Sequence, residues 1–145
     1  MNRLCQLGCL LAEILVMIIF QSHLGHTMPM QLSMFSGAVI MSATYAGSLL
    51  IPAAMFLIAI HVAAFGAESL VLIVQRRPFP TAYLLSRLIH LLSLYLQAFS
   101  VVLLLYFFKL SLAGRLLGLT SYMFLAVALA ELIFECKKIF AHKQS

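Results

Sequence analysis

Aspartate and tryptophan are absent from this 145-residue chain, and only 9% of its residues carry charge. Without aspartate there can be no Ser-His-Asp set. A P-loop, a glycine-rich dinucleotide fingerprint and an H-E-x-x-H pair are missing as well, so the expectation is a protein that is not an enzyme. The lack of Trp leaves Tyr and Phe to form any aromatic belt at a membrane interface. Scarce charge, set against 64% hydrophobic residues, removes the chain from the class of ordinary water-soluble domains. The 3 cysteines, Cys5, Cys9 and Cys136, have neither C-x-x-C nor zinc spacing and read as small packing residues, although Cys5 and Cys9, four apart, share a helix face. No metal or other cofactor is expected.

What is present is long apolar sequence. Polar breaks at 21–33, 75–81 and 109–115 separate the blocks Leu4–Phe20, Met34–Val74, Ala82–Phe108 and Leu116–Ile133. Glu13 interrupts the first block and no small-x-small pattern follows Phe20, so it reads as a retained helix and not as a cleaved signal. A straight helix over Met34–Val74 would run about 60 Å, twice a hydrocarbon core of about 30 Å. Pro52 marks the expected break. The predicted fold is all-α, a single integral membrane domain forming a polytopic transmembrane helix bundle of four or five spans. The spans are placed at about 4–20, 34–50, 52–74, 82–108 and 116–136, and length favours five.

The net charge of +5 does not gather into a patch for nucleic acid. Arg76 and Arg77, together with Lys137, Lys138 and Lys143 in the tail, fall on one side of such a bundle. The positive-inside rule makes that side cytoplasmic, and the economy of loops fits a bacterial inner (cytoplasmic) membrane. Arg3 lies on the same side with four spans and on the opposite side with five.

All four acidic residues, Glu13, Glu68, Glu131 and Glu135, lie in or at the end of apolar blocks, where an unpartnered charge costs at least about 2.5–3.5 kcal/mol. One source of partners is a stripe at helical spacing: Tyr83, Ser86 with Arg87, His90, Ser93, Gln97 and Ser100. Glu68 and Arg87 are equidistant from position 77.5, the centre of the intervening loop, which predicts a Glu68–Arg87 ion pair. His61 falls level with Ser93 or Gln97. His61, Glu68, Arg87, His90, Ser93 and Gln97 thus form an expected intramembrane polar ladder, read either as a seam fixing helix register or as a path for protons, ions or substrate. Glutamates 131 and 135 lie at the cytoplasmic end, with Glu135 placed to pair with Lys138. Glu13 shares a face with Gln6 and Cys9, and Arg115, Lys109 or another subunit are its candidate partners. His23 and His26 read as loop surface residues.

Gly114 and Gly118, continued by Ala126 and Ala130, form a small-residue face suited to close helix packing. The leading expectation is therefore a non-catalytic membrane subunit or accessory protein, surrounded by lipid bilayer and packing against other membrane proteins or itself. A small oligomeric transporter or proton- or ion-conducting protein using the ladder is the alternative. A b-haem anchor ligated by His61 and His90 is a third reading.

Overall fold

The computed structural model describes residues 3–76 and 81–142. Four helices follow in order, α1 (Arg3–Ile19), α2 (Leu50–Gln75), α3 (Ala82–Phe107) and α4 (Ala113–His142). A single 3₁₀ turn at Gln21–His23 and a two-stranded hairpin, β1 (Thr27–Leu32) and β2 (Val39–Thr44), lie between α1 and α2. The helices α2 and α3, and Ala113–Lys137 of α4, are long and apolar enough to cross a membrane, whereas α1 is a shorter apolar helix of 17 residues. These helices mark an integral membrane protein, largely helical in build.

The expectation of a span over 34–50 is corrected. That segment contains β2, and the preceding polar break contains β1. Strand β2 carries the β-favouring sequence Val39, Ile40 and Thr44, and the two strands pair antiparallel from Thr27↔Thr44 to Leu32↔Val39, with irregularities beside Pro29 and Gln31. Pro29 has no amide hydrogen to give to a ladder, and such positions favour a disrupted register. Pro52 does not separate two helices either. It sits in the first turn of α2, where amide donors have no intrahelical acceptor and the missing N–H of proline costs nothing.

An isolated two-stranded hairpin is marginal in water, so this one depends on the helices beneath it. Gly25 N–H donates to the Phe107 carbonyl at 3.2 Å, and Leu24 and Met28 join Met17, Leu57, Leu103 and Phe107 in the core. At the hairpin tip, Gly37 has φ +67°, a left-handed conformation that glycine adopts without steric cost. Its carbonyl accepts a hydrogen bond from the Tyr106 hydroxyl.

Gly114 and Gly118 receive this tip. A methyl group built on Gly114 would stand 3.0 Å from the Gly37 oxygen, and one on Gly118 would stand 2.7 Å from the Phe35 oxygen. The Phe35 ring packs on Tyr122 with centroids 5.1 Å apart. These two glycines therefore accommodate loop backbone, where the sequence pattern pointed to a neighbouring helix.

Helix directions follow from the side-chain contacts. Gln6 meets Ser93 and Glu13 meets Ser100, so α1 and α3 run parallel. His61 meets Ser100 while the Ala64 carbonyl meets Ser93, which makes α2 antiparallel to them. Tyr95 meets Ser121 and Arg87 meets Glu131, so α4 is antiparallel to α3. The starts of α1 and α3 and the ends of α2 and α4 thus share one end of the bundle, and the hairpin covers the other. This up-and-down order replaces the favoured five-span arrangement with four helices.

Candidate functional site

Polar residues recur on α1 at Gln6, Cys9 and Glu13, at steps of three and four that keep them on one face. That face turns inward: Gln6 and Glu13 are buried, Glu13 with 4% of its surface exposed. Opposite it on α3 stand Ser93, Gln97 and Ser100, all buried, and on α2 stands His61, at 6% exposure. Three helices therefore deliver their polar stripes to one interior line.

At the centre of that line, Glu13 Oε2 lies 3.0 Å from His61 Nε2. The Ser100 hydroxyl donates to Glu13 Oε1 at 2.7 Å and lies 3.2 Å from His61 Nε2. It is also 2.8 Å from the Gln97 carbonyl. The Cys9 thiol completes the group, donating to Glu13 Oε1 at 3.7 Å. Glu13 thus has partners in His61 and Ser100, not in the Arg115 or Lys109 that the sequence offered.

One proton shared between a carboxyl and an imidazole leaves the pair with zero net charge, whichever group holds it. That neutrality lets two titratable groups remain inside a low-dielectric bundle. The geometry is not that of a hydrolytic triad, because serine and acid both address Nε2 and none of the acid oxygens orients Nδ1.

Towards the other end of the bundle, the polar line continues. Gln6 Nε2 is 3.5 Å from Ser93 Oγ, and Ser93 donates to the Ala64 carbonyl at 3.1 Å. Three buried atoms here, His61 Nδ1, Gln6 Oε1 and Gln97 Nε2, have no hydrogen-bond partner among the described residues. His61 and Gln6 also line a cleft of about 360 Å³ between α1 and α2, walled by Leu7, Leu10, Val62 and Phe65.

The expected Glu68–Arg87 pair does not form. Arg87 instead makes a forked contact to Glu131 of α4, at 2.9 and 2.7 Å, and lies over the Tyr83 ring at 5.0 Å. Glu68 Oε1 lies 2.8 Å from His90 Nδ1, a close approach without the alignment of a hydrogen bond. The reason is the turn. Helix α2 ends at Gln75 and α3 begins at Ala82, so the hairpin is centred at 78.5 and not at 77.5. That shift puts Glu68 level with position 89, next to His90, and Arg87, two residues earlier, points round the helix towards α4.

The ladder therefore divides. His61, Ser93 and Gln97 join Gln6, Glu13 and Ser100 in the buried line, while Glu68, Arg87 and His90 form a more accessible group with Glu131. His61 and His90 engage different carboxylates, so they do not face each other as axial ligands would. His26 Nδ1 contacts the Gly47 carbonyl and His23 contacts Ser22, both at the surface. Ala126 and Ala130 lie on α4, Ala130 beside the Arg87–Glu131 pair. Arg77, Lys143 and the Lys138 side chain, with its expected contact to Glu135, lie outside the described residues.

Glu13, Cys9 and Ser100 belong to the buried polar group and were not part of the expected ladder. A signal for them exists in the sequence: Gln6 and Glu13 are seven apart, as are Ser93 and Ser100, so the stripes of α1 and α3 can be aligned directly. Comparison with models of known families, with characterised proteins and with solved structures gave no match.

Proposed function

We propose that this protein moves protons or small cations across a membrane, with Glu13, His61 and Ser100 as its central relay. The observation that carries this reading is the buried Glu13–His61 contact of 3.0 Å bridged by the Ser100 hydroxyl. A carboxyl, an imidazole and a hydroxyl in mutual hydrogen-bonding range form a group that can pass a proton without creating net charge. Ionisable groups in this position mark proton and ion pathways in membrane proteins. From Ser100 to Arg87 the polar residues of α3 span 13 positions, a rise of about 20 Å, most of a hydrocarbon core.

Under this reading the end carrying Arg76 and Lys137 is cytoplasmic by the positive-inside rule, the β-hairpin faces outwards, and the membrane is a bacterial inner membrane. The test is proton flux in proteoliposomes loaded with a pH-sensitive dye. Glu13→Gln and His61→Gln are expected to abolish flux driven by a potassium diffusion potential, and Glu68→Gln and His90→Ala to slow it. Wild-type flux no higher than in protein-free liposomes would remove the proton reading.

A second reading, an accessory subunit of a larger membrane assembly, is favoured by α4. Its outer face leaves Leu119, Met123, Leu129, Ile133 and Phe134 uncovered, and its contact with the rest of the chain is mainly through α3. Stoichiometric co-purification of a second membrane protein in mild detergent, lost when Met123 and Leu129 are changed to bulky Trp, would support it.

A further inference from the structure

The relay centre carries one group that proton transfer does not require, the Cys9 thiol. We propose that Cys9, Glu13 and His61 form a binding site for a thiophilic divalent cation of the zinc class, taken up in exchange for two protons. This inference deepens the relay reading by naming a ligand for the same centre, and it stands or falls on a separate measurement.

Ligand chemistry supports it first. Thiolate, imidazole and carboxylate are the donors that zinc-class ions take, and one of each is supplied by Cys9, His61 and Glu13. One ligand atom from each of these side chains lies within 4.8 Å of the others, and they are the sole such group among the described residues.

Geometry supports it next. With metal–sulfur bonds of about 2.3 Å and metal–nitrogen or metal–oxygen bonds of about 2.0–2.1 Å, a tetrahedral site places sulfur about 3.5 Å from oxygen and nitrogen about 3.3 Å from oxygen. The observed contacts are 3.7 Å for Cys9 Sγ to Glu13 Oε1 and 3.0 Å for His61 Nε2 to the other carboxylate oxygen, Glu13 Oε2. The sulfur contact is slightly longer than its tetrahedral edge and the nitrogen contact slightly shorter, so the cluster is close to the size of a coordination shell. Three protein ligands leave a fourth position for a water or a transported group, the open arrangement of zinc sites that do chemistry or exchange. Ser100, donating to the carboxylate, orients it as an outer-shell partner does.

Charge balance is consistent with it. With a neutral thiol and one proton shared between Glu13 and His61, the empty group would carry zero net charge. Binding of M²⁺ needs thiolate, carboxylate and neutral imidazole, so the thiol proton and the shared proton both leave. The product, a dication with two anionic ligands and one neutral ligand, again has zero net charge. Uptake therefore occurs inside the bundle without burying a net charge, the term that otherwise makes ions in a low-dielectric interior so costly. The cleft between α1 and α2 brings the outer side of His61 within reach of an entering or leaving group.

The test uses Co²⁺ as a spectroscopic probe on the full chain purified in detergent. The wild-type protein is expected to bind one equivalent with a thiolate-to-cobalt charge-transfer band, and to release about two protons per Co²⁺ in weakly buffered solution. Zn²⁺ should bleach the band, and excess Mg²⁺ or Ca²⁺, which select oxygen ligands, should not. Cys9→Ser should remove the band, whereas Cys5→Ser and Cys136→Ser should leave it intact. Because Cys9 is only partly buried and bonds to Glu13 alone, Cys9→Ser should keep the wild-type helical circular dichroism, so loss of the band reports ligation and not unfolding.

The absence of a thiolate band in the wild type, its survival in Cys9→Ser, or its loss in Cys5→Ser would each overturn the site. Metal binding without proton flux in liposomes would leave the cation site standing and remove the relay. Flux without metal binding would do the reverse.

Discussion

Ser100 donates to Glu13 across 87 positions of sequence, the same separation that joins Gln6 to Ser93 one double turn below. Equal separations mean that α1 and α3 lie parallel and in register, with two rungs that turn together. His61 closes the upper rung and the Ala64 carbonyl the lower one, so α2 is bound into the same polar seam.

The seam predicts coupling in the upper rung. Glu13→Ala is expected to destabilise the bundle by about 3 kcal/mol, because it leaves His61 buried without its carboxyl partner. A double-mutant cycle with His61→Ala should recover part of that loss, giving a coupling energy of about 1–2 kcal/mol in reversible unfolding in mixed micelles. Additive single losses would show that the contact contributes no stability.

For the lower rung, Ser93→Ala should cost about 0.6 kcal/mol, the ordinary value of an interhelical hydrogen bond in lipid. The same unfolding assay reads it. Ser93→Leu should cost several times more, since the fully buried Ser93 has no space for a larger side chain.

Arg87 provides a test of partner choice. Reversal of its charge by Arg87→Glu should lower thermal stability in detergent, and the added change Glu131→Arg should restore it. Pairing Arg87→Glu with Glu68→Arg should give no rescue. The gain should be small and should shrink with added salt, as both side chains are partly exposed.

Much of this was legible in the sequence, for definite reasons. Apolar length identified α2, α3 and α4, since no other arrangement hides so many consecutive apolar residues. Position 34–50 was not legible, because apolar β-branched residues serve equally in a span and in a strand that caps a bundle. Gly37, whose positive φ makes the turn, was the local clue that the apolar run changes direction. The Glu68 pairing failed by one position in the centre of a turn. A one-position error in the centre moves the facing residue by two, and each residue rotates a helix side chain by about 100 degrees, so a small error in level becomes a wrong neighbour. Glu13 was recognised as needing a partner, and its identity depended on the parallel course of α1 and α3, a property of the hairpin connection and not of either helix.

The hairpin tip supplies another measurement. Gly118→Val should collide with the Phe35 carbonyl, release the tip from α4 and cost about 1–3 kcal/mol. Chymotrypsin should then cut near Phe35 faster than in the wild type, while Gly8→Val, whose added carbon meets nothing within 4 Å, should leave the cutting rate unchanged.

Helix direction makes a topological prediction. With native cysteines replaced by serine, Ser36→Cys and Gln75→Cys should react with a membrane-impermeant maleimide from opposite sides of a sealed vesicle, and Leu4→Cys, exposed in the first turn of α1, should share the side of Gln75→Cys. Labelling of Leu4→Cys and Ser36→Cys from one side would contradict the parallel course of α1 and α3.

The Ser100 hydroxyl has one hydrogen and three neighbours within reach: Glu13 Oε1 at 2.7 Å, the Gln97 carbonyl at 2.8 Å and His61 Nε2 at 3.2 Å. It can serve only one acceptor at a time. With Glu13 as carboxylate and His61 as imidazolium, the hydrogen points to Glu13. With the proton on Glu13, the hydroxyl can swing to the Gln97 carbonyl one turn earlier and present a lone pair instead. A single rotation about one side-chain bond therefore records where the shared proton sits, and the O–H stretching frequency of Ser100 becomes an optical reading of that position.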